Sequence, residues 1–224
     1  KGADAKTGQE DAVMEEYSKG EKSRWPAGLP AGGDSQLLFM QSAIDKMDDE
    51  VGRAAIITNG SPLFNGGVSS GESQIRRWLL ENDYIEAIIA MPTDLFYNTG
   101  IATYAWILSK NKRAERAGKI QLIDATEIYH PLRKSLGNKR KEFTGGDRTK
   151  ITELYSNFKE NDLSQIYPNE EFIYKEYTVM EPLQRSYAID DERIENLKTS
   201  GKLNTFYDRA KHEEILEKEE SALD

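Results

Sequence analysis

The stretch from residue 52 to residue 108 decides the fold of this chain. It reads GRAAIITNGSPLFNGG from Gly52, SSGESQIRRWLLEN from Ser69, and IEAIIAMPTDLFYNTGIATYAWIL from Ile85. Its three apolar runs, at 54–58, 85–91 and 104–108, are too short for helices and predict strands. Because these runs are nearly continuous, we expect both faces of each strand to be buried by helices.

A helix is predicted between the first two strands. Ile75, Trp78 and Leu79 share one face of it, and Ser69 or Ser70 is placed to cap its start. The order strand, helix, strand indicates a crossover inside an α/β domain.

Further elements follow from the same kind of pattern. A helix starting at Asp34 or Ser35 is predicted, because apolar residues recur at helical spacing up to Met47. Residues 119–125 predict a strand antiparallel to 104–108, because the connection is short. Residues 149–160 predict a helix and 172–179 an exposed strand, whereas 1–33 and 127–147 show no sustained period.

Composition excludes several classes of protein. The 224 residues contain no Cys and only two His, so disulfides and thiolate metal sites are excluded and no metal is expected. No apolar run approaches the ~18 residues of a membrane span, so no membrane partner is expected. The absence of Cys is compatible with a cytoplasmic location. The chain begins KGADAKTG without Met, so we expect it to be cut from a longer protein.

Charge is distributed unevenly, although the net charge is −9. Residues 110–150 hold twelve Lys or Arg against five Asp or Glu, whereas residues 190–224 hold six against eleven. The basic segment is either a solvated surface loop or a surface that faces nucleic-acid phosphates.

The turn between the second and third strands carries the most informative motif. Phe96, Tyr97, Asn98 and Thr99 lie between two buried strands, at an end of the sheet. Turn residues flank the aromatic pair, so it is either core or an exposed stacking surface for an extruded base. The glycine-rich loop at 65–71 lacks the Lys of a phosphate-binding loop, and ligand binding there is a weaker alternative.

Several blocks resemble the modification subunit of type I restriction–modification systems, which are N6-adenine DNA methyltransferases. They are RWPAGLPAGGDSQLLFMQ, ITNGSPLFNGG, IRRWLLENDYIEAIIAMPTDLFYNTGIATYAWILSKNK, GKIQLIDAT and FIYKEYTVMEPLQRSYAI, in the family's order across residues 24–190. The resemblance implies transfer of a methyl group from S-adenosylmethionine to adenine N6 in DNA. The family's catalytic Asn/Asp-Pro-Pro-Phe/Tyr motif and its Gly-rich cofactor loop are not in this sequence, so no catalytic residue is assigned here.

The resemblance implies an α/β fold: the back half of a Rossmann-like methyltransferase sheet with helices on its faces, plus a mostly helical C-terminal extension. Four segments are expected. They are an irregular loop at 1–33, the rear of the catalytic domain at 34–126, a basic loop, helix and short strand at 127–190, and an acidic helical tail at 191–224.

The resemblance also implies roles for individual residues. Phe96, Tyr97 and Asn98 match the aromatic loop that contacts the target base. The helix start matches one wall of the cofactor pocket, through Asp34, Gln36, Leu37 and Leu38. Five cations of the basic segment are candidates for DNA phosphates: Arg133, Lys134, Lys139, Arg140 and Lys141.

Partners implied by the resemblance are DNA, a specificity subunit and a restriction subunit. A chain with half a sheet exposes a strand edge, so a dimer through that edge or marginal stability is expected. We expect this chain to be inactive alone and to bind no S-adenosylmethionine alone. The alternative hypothesis is a non-catalytic scaffold that mediates subunit assembly.

Overall fold

The computed structural model describes residues 9–181, 189–199, 213–215 and 218. The chain divides into two units, Lys1–Glu176 and Tyr177–Asp224, which are described separately. The helices of the first unit are α1 (Gln9–Tyr17), α2 (Gln36–Lys46), α3 (Ser61–Phe64), α4 (Gly71–Glu81) and α5 (Gly145–Asn157). Its strands are β1 (Arg53–Thr58), β2 (Ile85–Met91), β3 (Thr103–Ser109), β4 (Lys119–Asp124), β5 (His130–Leu136), β6 (Lys139–Glu142) and β7 (Ser164–Pro168).

Five strands form a mixed sheet in the order β1-β3-β2-β4-β7, and β5 and β6 form a separate two-stranded sheet. Strands β2 and β4 are parallel, and the other neighbours in the large sheet are antiparallel. The predicted crossover therefore exists, with β3 inserted between the parallel strands β1 and β2. Strand β4 runs antiparallel to β3, as expected, but it does not pair with β3, because β3 is already paired on both sides and β4 joins the free edge of β2.

One face of the sheet packs on α2 and α4. Buried Leu37, Met40 and Ile44 of α2 meet Ile75 and Leu79 of α4 over the sheet. Trp106 of β3 lies within this core, and its indole Nε1 donates to Thr58 Oγ1 at 3.0 Å. The amphipathic faces predicted for these two helices are thus the faces that the structure buries. Ser70 caps α4 by accepting a hydrogen bond from the Ser73 backbone N–H.

The opposite face packs on α5 through a smaller apolar cluster and a polar network. Ile151, Leu154 and Tyr155 of α5 lie against Ile89 and Ile123 of the sheet. Beside them, buried Arg116 donates to Gln121 Oε1 at 3.0 Å and to the Tyr155 carbonyl, and its guanidinium lies 4.3 Å from the Tyr155 ring centroid. This network fixes α5 to the sheet.

Strand β1 corrects the expectation of burial on both faces. Its residues alternate, with Ala54 and Ile56 turned toward the core of α2 and α4, and Ala55 and Ile57 on the other side. Ile57 is 53% exposed. Helix α5 covers that side of the sheet only farther along, over β2 and β4, so an apolar strand here has one open face.

The segment expected to be a basic loop is a hairpin. Strands β5 and β6 lie within 127–147, where the sequence showed no period. A polar, solvated hairpin lacks the apolar alternation by which strands are recognised. Thr144 and Asp147 form a capping box, so α5 starts at Gly145, four residues before the predicted start, and ends at Asn157.

The exposed strand predicted at 172–179 is wrong. Strand β7 lies earlier, at Ser164–Pro168, and a 3-10 turn follows at Asn169–Phe172. Residues 173–181 carry no regular secondary structure. The alternation of apolar residues in 172–179 therefore has no sheet partner in the described part of the chain.

The expectation of an irregular loop at 1–33 is also wrong in part, because α1 and a 3-10 turn at Gly20–Lys22 lie within it. Residues 25–28 are anchored on α2: Trp25 Nε1 donates to Ser42 Oγ at 2.8 Å. Buried Gln41 bonds to the Ala27 N–H and the Gly28 carbonyl.

The second unit contains α6 (Asp191–Thr199), which lies at the start of the segment predicted to be an acidic helical tail. The rest of the tail predicted at 191–224 lies largely outside the described residues, as do residues 182–188 of the FIYKEYTVMEPLQRSYAI block. Among the described residues, no helix combines the length and apolarity needed to span a membrane.

Candidate nucleic-acid interface

The parallel strands β1, β2 and β4 all end at the same edge of the sheet. The loops that follow them, at 59–65, 92–102 and 125–129, therefore meet there, which is where α/β folds place ligand sites. The β5–β6 hairpin leaves from the third of these loops. All three groups of residues singled out in the sequence belong to this end of the molecule.

The predicted base-contact residues form a tight turn. Phe96 and Thr99 pair across it in an isolated antiparallel bridge, which places Tyr97 and Asn98 at the tip. Tyr97 is 59% exposed, Asn98 is exposed and Phe96 is half-buried. Asp94, just before the turn, has a φ of 58°, a left-handed conformation. This aromatic turn (residues 94–99) thus presents a tyrosine ring to the surface, as a stacking site requires.

The hairpin contacts the aromatic turn through main-chain hydrogen bonds. The Asn138 N–H donates to the Tyr97 carbonyl at 2.9 Å, and the N–H groups of Arg140 and Lys141 donate to the Asp94 carbonyl at 2.9 and 3.2 Å. Two segments that are forty residues apart in sequence therefore form one surface. Sequence reasoning named residues of both, but not their contact.

The five predicted phosphate-binding cations all lie on this hairpin. Arg133, Lys134 and Arg140 are exposed, whereas Lys139 and Lys141 are half-buried. The last two are separated by one residue, so both side chains leave the same face of β6. Hairpin residues 130–142 hold these five cations against a single acid, Glu142.

Aromatic rings fix the two half-buried lysines. Lys139 Nζ lies 5.2 Å from the Tyr97 ring centroid, and Lys141 Nζ lies 4.0 Å from that of Tyr129. Both distances are within cation–π range. Tyr129 was not singled out in the sequence, because a tyrosine after a strand carries no signal until its lysine partner is known.

The helix start predicted to line a cofactor pocket lies at the same end of the sheet. Gln36 Nε2 donates to Asp34 Oδ1 at 3.0 Å and to Asn59 Oδ1 at 2.9 Å, and Gln36 Oε1 accepts from the Asn59 N–H. Leu37 and Leu38 are only 2% and 6% exposed and belong to the interior. The Gln36 amide is thus held by Asp34 and Asn59 and both leucines are buried, and a role of these four residues at one wall of a cofactor pocket stays a prediction.

The glycine-rich loop at 65–71 is occupied by groups of the protein itself. Arg76 Nη1 donates to the Asn65 carbonyl at 2.7 Å, and buried Glu72 accepts from the Ala31 N–H at 2.8 Å. An ideal Cβ on Gly66 would lie 2.9 Å from Glu72 Oε2. A carboxylate beside this loop disfavours a bound anion, so the structure gives no support to the ligand-binding alternative here.

Carboxylates next to the interface are held ionised by local hydrogen bonds. Thr126 donates from its hydroxyl and its backbone N–H to Asp124, which lowers the pKa of that carboxyl. The hydroxyl and N–H of Thr144 do the same for the pKa of Asp147 at the start of α5. Both carboxylates are thus fixed by the fold.

Comparison with known proteins assigns the family. The profile of the N-6 DNA Methylase family matches residues 10–192. A type I restriction enzyme MjaVIII methylase subunit from Methanocaldococcus jannaschii is 33% identical over 169 residues, covering 74% of this chain and 27% of the relative. A type I restriction enzyme HindI methylase subunit from Haemophilus influenzae is 29% identical over 139 residues, covering 62% and 29%.

A solved structure is similar as well. The methyltransferase subunit of a type I restriction–modification system from Streptococcus thermophilus superposes with a TM-score of 0.57 and 26% identity, over 64% of this chain and 28% of that one. The mixed α/β sheet is thus a methyltransferase-like fold. The chain belongs to the N-6 DNA methylase family. It spans less than a third of the length of these relatives.

Proposed function

We propose that this chain is part of the DNA methyltransferase subunit of a type I restriction–modification system, which transfers a methyl group from S-adenosylmethionine to adenine N6. The observation that carries the proposal is the joining of the aromatic turn to the basic hairpin. One surface then offers an exposed ring for a base and five cations for phosphates.

In this proposal, Tyr97 and Phe96 contact the adenine after it leaves the duplex, and Asn98 contributes polar contacts at the tip of the turn. An extruded base loses its stacking neighbours, and an aromatic face replaces them. Arg133, Lys134 and Arg140 contact the DNA backbone, with Lys139 and Lys141 adding positive charge. These contacts give affinity without reading sequence.

S-adenosylmethionine would supply the methyl group in the complete enzyme. Asp34 and Gln36 border its site in the proposal, and Leu37 and Leu38 support that border from the interior. We infer that the chain described here does not transfer methyl groups alone. Its sheet is then the rear half of a Rossmann-like methyltransferase sheet, and a helical extension follows it. The complete protein would act in the cytoplasm.

The proposed partners are DNA, a specificity subunit and a restriction subunit. A further contact would cover β1, which pairs only with β3 among the described strands and carries exposed Ile57. An unpaired edge beside an apolar face favours association, and we propose that two copies of the isolated chain pair there. Light scattering would then give a dimer, and Ile57→Lys a monomer; a monomeric parent chain would contradict this pairing.

The DNA interface is tested by fluorescence anisotropy with a labelled duplex at several salt concentrations. Each lost phosphate contact lowers the slope of log affinity against log salt by about 0.9. We expect the variant R133Q/K134Q/R140Q to lose about 2.7 from that slope.

The matched control is K46Q/R77Q/R113Q, which removes three exposed cations from other elements. Equal losses of slope in the two triple variants would refute the assignment of the hairpin as the DNA-facing surface.

The reaction itself is tested with the natural full-length gene product and its partners, which should label adenine N6 from radiolabelled S-adenosylmethionine. Labelled cytosine, or no labelled base, would contradict it.

A further inference from the structure

The hairpin is built to hold the aromatic turn in place. Three N–H groups, from Asn138, Arg140 and Lys141, converge on the carbonyls of Tyr97 and Asp94. Main-chain hydrogen bonds fix the path of the turn on either side of its aromatic pair. A hairpin that served only to carry charge would not need them.

Gly137 is the residue that permits this contact. It has a φ of 63°, and an ideal Cβ at this position would lie 2.7 Å from the Tyr97 carbonyl oxygen. Real Cβ atoms do not approach a backbone oxygen so closely, so any other residue would push the hairpin tip away from Tyr97. The glycine is required by the neighbouring turn as well as by its own conformation.

Lys139 then constrains the ring itself. Its ammonium group lies 5.2 Å from the centroid of the exposed Tyr97 ring. Lys141, two residues on, makes the same kind of contact with Tyr129, which lies outside the aromatic turn. Lys141 therefore matches Lys139 in charge and setting but does not touch the proposed base-contact residue.

We propose that the β5–β6 hairpin is the positioning element of the target-base site: Gly137 and Lys139 hold Tyr97 in the orientation that receives an extruded adenine. This inference rests on the proposed function and adds two positioning residues to it. The competing assignment gives Lys139 a phosphate and no other role.

The test compares two labelled duplexes, one fully paired and one with a single unpaired adenine. The ratio of their affinities for the chain measures capture of the base, because contacts to phosphate contribute to both. We expect Lys139→Met to lower the ratio three- to tenfold and Lys141→Met to leave it unchanged. Both variants should lose about 0.9 from the salt slope if both lysines face phosphates.

Two further variants distinguish the contact of Lys139 with the Tyr97 ring from a contact of Lys139 with phosphate. Lys139→Arg keeps a cation over the ring and should keep the ratio. In a Tyr97→Ala background, Lys139→Met should no longer change the ratio, because the ring that it orients is gone. A lysine that only contacts phosphate would behave alike in both backgrounds.

Gly137 has an internal control in Gly118. Both have positive φ, 63° and 71°, but an added Cβ on Gly118 meets nothing within 4 Å. Both alanine variants therefore carry similar backbone strain, and only Gly137→Ala collides with Tyr97. We expect Gly137→Ala to bring the ratio close to one and Gly118→Ala to preserve it.

The outcomes separate this inference from the function on which it rests. If the parent chain prefers the unpaired adenine and Tyr97→Ala abolishes that preference, the base contact stands. Equal ratios for Lys139→Met and Lys141→Met, or for the two glycine variants, then overturn the positioning role alone. A parent ratio of one overturns the proposed base contact and this inference together.

Discussion

The two ends of the basic segment differ in where the fold places their cations. Between residues 110 and 119, two cations turn inward: Lys112 bonds to Asp83 at 2.5 Å with its side chain only 1% exposed, and Arg116 lies 3.5 Å from Glu86. Between residues 130 and 142, the cations stand on a hairpin and are exposed or half-buried. The same residue types thus hold the sheet together at one end and form a candidate DNA surface at the other.

The difference comes from the neighbours in the sequence. The two inward cations precede the buried strand β4, and the acids that pair with them are Glu86 in β2 and Asp83 just before it. The hairpin cations follow one another in strands that have no apolar face to bury. Net charge over a window therefore says little about a surface until the buried ion pairs are subtracted.

The largest expected effect is at the inward end. Arg116→Met leaves buried Glu86 with a single ion-pair partner among the described residues, Arg53, whose Nη2 lies 2.8 Å from Glu86 Oε2. Removing one member of a buried ion pair costs about 3–5 kcal/mol. Urea denaturation followed by circular dichroism measures it. Exposed Arg113→Met is the control and should stay within about 0.5 kcal/mol; a similar loss in both would refute the assignment of Arg116 to the core.

Lys112→Met should cost less, about 1–3 kcal/mol, because Asp83 and the Lys119 carbonyl lose a common donor. Asp83 keeps bonds from the Gly118 N–H and from Asn169, which limits the loss. Lys119→Met removes a neighbouring exposed cation and serves as the control. Should both variants unfold at the same urea concentration, the buried role of Lys112 would be wrong.

Asp147, in the first turn of α5 just after the hairpin, gives a smaller, pH-dependent effect. Hydrogen bonds from Thr144 lower its pKa, so the folded chain favours the carboxylate. Its contribution to stability is therefore complete above the unfolded pKa of about 3.9 and is lost as the pH falls through the folded pKa. The unfolding free energies of the parent and Asp147→Asn should differ at pH 7 and converge toward pH 3.

The smallest effect on stability is expected on the hairpin. Arg140→Met should change the free energy of unfolding by less than about 0.5 kcal/mol, because its exposed side chain can be lost without breaking the main-chain bond to Asp94. The same variant should reduce the salt slope of DNA binding by about 0.9. A destabilised variant with unchanged DNA affinity would show that Arg140 supports the fold and does not contact DNA.

Apolar periodicity predicted the parts of the fold that depend on burial. It found β2, β3 and β4 and the buried faces of α2 and α4, because those residues face the core. It failed where the pattern of apolar residues does not follow burial in the fold. The hairpin strands are polar, the open face of β1 is apolar, and 172–179 alternates without being a strand.

The candidate site was predictable as residues but not as an arrangement. Tyr97 was visible as an aromatic between turn residues, and the hairpin lysines were visible as charge. Their contact is made by backbone N–H and carbonyl groups, which every residue except proline possesses. No pattern of side chains in the sequence therefore predicts it. Gly137 in the sequence LGNK was the one visible trace, because Gly-Asn pairs favour tight hairpin turns.

The support given to the aromatic turn has an evolutionary side. The hairpin grips Tyr97 and Asp94 by their carbonyl oxygens, so it is largely indifferent to the side chains that those positions carry. Mutation could exchange the residue at the tip, and with it the shape and polarity offered to a ligand, while the frame beneath stayed intact. A substitution at position 97 would therefore leave the backbone of the turn in place, whereas a substitution at Gly137 would displace the hairpin from the turn whichever residue stood at position 97.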